Sequence, residues 1–151
     1  MTVTDKVVAT LRAQLTGQFD EFERLLAQLN ENEAGRGLPA LVNAAFYEAT
    51  QRRFIKDGKA SSDAEVIDFV ANAREQHEEV AQSIDPGIAE RLINYALDKL
   101  PPDANRDIDR NVGFKTQHLL MLSIVAEEDY NEDQVTEFLQ EARNTAEEMI
   151  S

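Results

Sequence analysis

Apolar residues recur along this chain at steps of three, four and seven, with polar residues between them, which is the pattern of amphipathic helices. From about Thr4 to Leu29 the positions Val8, Leu11, Leu15, Phe22, Leu25 and Leu29 fall on one stripe. Gly17 weakens the middle of that stretch by roughly 1 kcal/mol relative to Ala, so a kink or a two-piece helix is expected there. Residues 30–37 (NENEAGRG) read as a loop. Leu38-Pro39 then opens a second helix, with proline in the first turn where its missing N–H does no harm. Leu41, Val42, Ala45, Phe46, Ala49 and Phe54 form its buried side.

Lys56 to Ser61 reads as a second loop. Ser62-Asp63-Ala64-Glu65 after it is a capping box, feeding Val66, Ile67, Phe69, Val70 and Ala73 at helical spacing. Asp85-Pro86 is a further start signal, an Asp cap followed by proline, ahead of Ile88, Ala89, Leu92, Ile93, Ala96 and Leu97. Pro101-Pro102 is expected to end that helix. A connector over residues 103–113 holds a short turn with Ile108 and Val112 inward and Gly113 as its stop. Phe114 to about Glu127 is apolar on nearly every side in its second half, and Asn131 with Gln134 caps the last helix. There Val135, Phe138, Leu139, Ala142, Ala146, Met149 and Ile150 give a clean 3.6 period. No stretch alternates like a strand. The expectation is all-α: residues 1–151 as a single all-helical domain, a bundle of five to seven helices.

Composition supports a real core, since 42% of the 151 residues are hydrophobic. Charge is the more distinctive property: 15 basic against 29 acidic residues leave a formal net charge of −14. The excess is uneven. Residues 1–75 carry nine basic and twelve acidic groups (net −3), and residues 76–151 carry six and seventeen (net −11). On the last helix Glu137, Glu141 and Glu148 line one outer face with Asn144 between them. The opposite pole is Arg52, Arg53, Lys56 and Lys59 at the end of the second helix, where cations complement the helix dipole. An acidic face of this kind either keeps the chain soluble or draws in a basic partner by long-range attraction.

Several classes fall away. Phosphate contacts need clustered Lys and Arg, so a domain of pI about 4.4 disfavours direct nucleic-acid binding. No apolar run is long enough for a bilayer, so no membrane association is expected, and the bland reading of location is cytoplasmic. Without cysteine there is no thiol nucleophile or thiolate metal site. The histidines, His77 and His118, are preceded three residues earlier by Arg74 and Lys115, so the Glu-x-x-His ligand pattern of di-iron bundles is missing. Asp107, Asp109 and Asn111 alternate like the start of a calcium loop. Glycine then falls at the seventh place instead of the sixth, and His118 stands where a bidentate Glu belongs. No nucleophile elbow or phosphate loop occurs.

The sequence therefore leans towards a non-enzymatic helical protein acting through protein contacts (regulatory, adaptor or immunity-like) or self-association, with no cofactor. The interaction residues would be Glu137, Glu141 and Glu148 against Arg52, Arg53 and Lys56. A ligand-binding or catalytic pocket near His118 and Glu48 is the first alternative, and a weak calcium site at Asp107, Asp109 and Asn111 the second.

Overall fold

The local signals for helix starts and stops are obeyed closely. In the computed structural model, which describes residues 2–76 and 82–150, they delimit seven α-helices, a π-helical turn and one short hairpin. In chain order these are α1 (Asp5–Leu15), α2 (Phe19–Gln28), the π turn (Glu33–Gly37), α3 (Leu38–Phe54), β1 (Ile55–Lys56), β2 (Lys59–Ala60), α4 (Asp63–Gln76), α5 (Pro86–Ala96), α6 (Arg110–Glu128) and α7 (Glu132–Ile150). The fold is all-α. The chain forms two compact units, residues 1–48 with 125–151, and residues 49–124.

The first unit begins with a hairpin of α1 and α2. Gly17 does more than weaken a long helix: at φ +74° it takes the left-handed position that ends α1. Its N–H donates to the Gln14 carbonyl, and that of Gln18 to the Ala13 carbonyl, at 3.3 and 2.9 Å. The buried stripe of α1 keeps Leu11 from the sequence reading but otherwise differs, with Val7, Thr10 and Ala13 buried and Val8 and Leu15 only half-buried. Val3 precedes them in the same i, i+4 row and is fully buried. The expected loop at 30–37 is helical. Asn30 Oδ1 accepts from the Glu33 N–H at 2.8 Å, and Glu33 Oε1 accepts from the Asn30 N–H at 3.0 Å. That is a capping box, and it satisfies the donors a loop would leave to water.

The last helix follows its periodicity. Val135, Phe138, Leu139, Ala142 and Ala146 are buried, while Met149, one residue from the end, is 53% exposed and leaves the expected core set. α1 lies antiparallel to α7. The Val3 N–H donates to Glu147 Oε1 at 2.9 Å, and Arg12 Nη1 donates to Thr136 Oγ1 at 2.8 Å.

In the second unit the loop expected after α3 is a β-hairpin, Ile55 pairing with Ala60 and Lys56 with Lys59. Asp57 and Gly58 both have positive φ, +52° and +75°, as the mirror-image turn of a two-residue hairpin requires. Phe54, fully buried, meets the Phe69 ring edge-on at 5.3 Å, and the Arg53 guanidinium lies 4.9 Å from the Phe54 ring centre. Ser62 and Asp85 cap α4 and α5, accepting from the N–H of Glu65 (3.3 Å) and of Ile88 (3.0 Å). Ile67, expected inward, is 48% exposed. α5 stops before its prolines: Asp98 turns left-handed at φ +61°, and the N–H groups of Asp98 and Lys99 close the end on Tyr95 and Asn94.

Candidate interaction surface

The acidic residues expected to carry interactions stay in solvent. Glu137, Glu141 and Glu148 are exposed along the outer face of α7. Between residues 116 and 151 the sole cation in the sequence is Arg143, and its Nη1 donates to Asp5 Oδ1 at 2.8 Å, so its charge is met within the unit. The first unit holds 5 basic and 16 acidic residues (5 − 16 = −11), against 10 and 13 (−3) in the second. An open groove of about 560 Å³ runs beside this stripe, lined by Thr4, Asp5, Gln140, Arg143, Asn144 and Glu147. Its polar lining adjoins the acidic stripe through Asn144.

The basic pole is less available than its sequence implies. Lys56 Nζ donates to the Arg52 carbonyl at 3.1 Å, capping the last turn of α3, and Arg53 lies over the Phe54 and Phe69 rings. Cap and ring-stacking roles therefore occupy two of the three named cations.

The residues of the alternative sites are divided between the units, Glu48 in the first and His118, Asp107, Asp109 and Asn111 in the second. His118 is half-buried beside Phe114, with ring centres 5.9 Å apart, and burial pushes its pKa down. Glu48 is half-buried on α3. His77 lies outside the described residues. Asp107 pairs with Arg91 at 2.6 Å, and that hydrogen bond holds its carboxyl below the usual carboxylate range. Asp109 instead caps α6, its Oδ1 accepting from the N–H of Asn111 (3.0 Å) and of Val112 (3.1 Å). Helix α6 starts at Arg110, so Asn111 and Gly113 sit in its first turn. Gly113 is not a stop, and Val112 is 42% exposed instead of inward. The three calcium-loop candidates thus face separate tasks, and no cluster of three acidic or histidine ligands occurs among the described residues. No helix of the described residues is long and apolar enough to cross a membrane.

Two features escaped the sequence reading. One is Glu33, a carboxylate with only 8% of its surface exposed. Its Oε2 accepts from the Thr4 hydroxyl at 2.6 Å, and Thr4 Oγ1 in turn accepts from the Val7 N–H as the cap of α1. The Thr4 bond, then that of Asn30, holds the Glu33 pKa below its ordinary value. One carboxylate thereby joins the starts of two helical segments. The other is α2. The stripe of Phe22, Leu25 and Leu29 was expected inside, yet α2 has no buried residue; these three are half-buried, and Phe19 and Leu26 are 64% and 39% exposed. Comparison with family models, curated proteins and solved structures finds no match to this chain.

Proposed function

We propose that this is a non-enzymatic helical interaction protein that binds a basic protein partner through its acidic first unit, in a regulatory, adaptor or immunity-like role. The observation that carries the reading is the exposed row Glu137, Glu141 and Glu148 in a unit of net charge −11, whose nearby cation, Arg143, is already paired with Asp5. A field of that sign speeds encounter with cationic surfaces and repels polyanions, which supports a protein partner over nucleic acid. The cytoplasm is the setting that goes with it, an expectation from the sequence alone.

The test is titration of a labelled polycationic peptide into the full chain at low and high ionic strength. Binding that weakens steeply with salt, and weakens again in the Glu137→Gln/Glu141→Gln/Glu148→Gln variant, is expected, because exposed charges act across no more than about 10 Å at 0.1 M salt. Absence of binding at low salt overturns the proposal.

A further inference from the structure

The apolar face of α2 is the part of the molecule whose pattern asks for a partner that the described residues do not supply. Its sequence, FDEFERLLAQ, carries a strong apolar arc, but the arc is only half covered. On a helix turning 100° per residue, Phe19 and Leu26 project side by side along one edge, with Phe22 and Leu29 next to them towards the covered side. Phe19 is the most exposed large apolar side chain among the described residues. Exposed apolar groups scattered singly are ordinary, but two adjoining ones on the edge of a continuous stripe form a patch.

What rims that patch decides its occupant. Glu23 is exposed and lies one turn from both Phe19 and Leu26, and Asp20 follows on the same side. The sole cation of the helix, Arg24, is held by Glu21: its Nε donates to Glu21 Oε2 at 2.9 Å, and the pair lowers the acid's pKa and raises that of the base. The rim is therefore carboxylate. A second copy placed face to face would set Glu23 and Asp20 against their own kind inside two units of −11 each. The chain's own basic pole, with Arg53 and Lys56 engaged as described, makes a weak complement. An anionic bilayer is repelled for the same reason.

Resting on the reading above, we propose that α2 is the docking helix, and that its partner is a cationic amphipathic helix seating apolar side chains on Phe19 and Leu26 and Lys or Arg on Glu23 and Asp20. Helix-on-helix recognition of this kind takes its specificity from apolar anchors at three- and four-residue spacing and its steering from the charged rim.

Two synthetic peptides of equal charge separate the contributions: one amphipathic, with Leu on one face and Lys on the other, and one with Ser in place of Leu. The full chain is compared with Phe19→Ser/Leu26→Ser, whose changes are at exposed positions and whose folding is checked by circular dichroism. The amphipathic peptide is expected to bind wild type at least tenfold tighter than the polar one, and the double variant is expected to erase that difference. Equal binding of both peptides, lost only in the Glu137, Glu141 and Glu148 variant, overturns α2 docking while leaving the acidic-partner reading intact. No binding of either peptide at low salt overturns both. A dimer by sedimentation that the double variant converts to monomer makes the occupant a second copy and also overturns the proposal.

Discussion

Truncation of Phe54 probes the second unit where its packing is most specific. The side chain is fully buried, at the join between α3 and the hairpin, with the Phe69 ring edge-on at 5.3 Å and an interplanar angle of 85°. Phe54→Ala removes the whole ring from a site that rigid helices prevent from collapsing, and such truncations cost about 3–5 kcal/mol. Part of that cost is directional. The edge-to-face pair contributes about 0.5–1.5 kcal/mol beyond the area it buries. The Arg53 guanidinium, 4.9 Å from one ring and 5.8 Å from the other, adds about 0.5–1 kcal/mol of cation–π attraction. In urea unfolding followed by circular dichroism the midpoint falls at unchanged slope. In a thermal scan the same loss lowers Tm by roughly 6–20 °C for a chain of this length. Combining Phe54→Ala with Phe69→Ala isolates the pair: the two losses are expected to sum to more than the double variant shows, by about 0.5–1.5 kcal/mol. A Phe54→Ala loss below about 1 kcal/mol, or strict additivity with Phe69→Ala, refutes the packing assigned to this cluster.

Further expectations concern two other positions. Because burial lowers the His118 pKa, the unfolded imidazole takes up its proton near pH 6.5 while the folded one resists. Its contribution is therefore fully present above pH 6.5 and is lost as pH falls from there through the folded midpoint. Proton NMR should give a titration midpoint below 6.5, and His118→Asn should flatten that limb of the stability curve; a midpoint at or above 6.5 contradicts the burial. Gly37→Ala drives a new Cβ against the Thr2 backbone carbonyl and should cost about 1–3 kcal/mol, read by chemical denaturation. Gly35→Ala meets nothing within 4 Å and serves as its neutral counterpart.

What could be read from the sequence is what depends on a few neighbouring residues. Ser62, Asp85 and Asn131 cap as expected because an N-cap needs only its own side chain and the next amides. The inward face of α7 was legible through Ala146, because five apolar residues at helical spacing leave one solution. Two local signals were present and outweighed. Asn30-x-x-Glu33 has the same capping grammar as Asn131-x-x-Gln134, but Gly35 and Gly37 beside it spoke for a loop. Asp57-Gly58 is a hairpin turn, hidden because its strands are two residues each. The remaining misses are tertiary. Periodicity announces that Phe19, Phe22 and Leu26 share a face, yet no spacing tells whether the same chain covers it. Nor does it tell that Arg91 would claim Asp107, sixteen positions away, or that Glu33 would find Thr4.

The way the units divide the chain bears on the order in which they can form. Residues 49–124 are contiguous, so everything that unit requires has been synthesised before the first residue of α7 is added. The first unit is discontinuous: Val3 waits for Glu147, and Asp5 for Arg143. Until then α1 has no α7 to lie against, and the hairpin of α1 and α2 carries apolar surface on both helices, of which that on α2 stays open in the folded unit. A chaperone meeting the growing polypeptide would find apolar surface on that hairpin until α7 has been made.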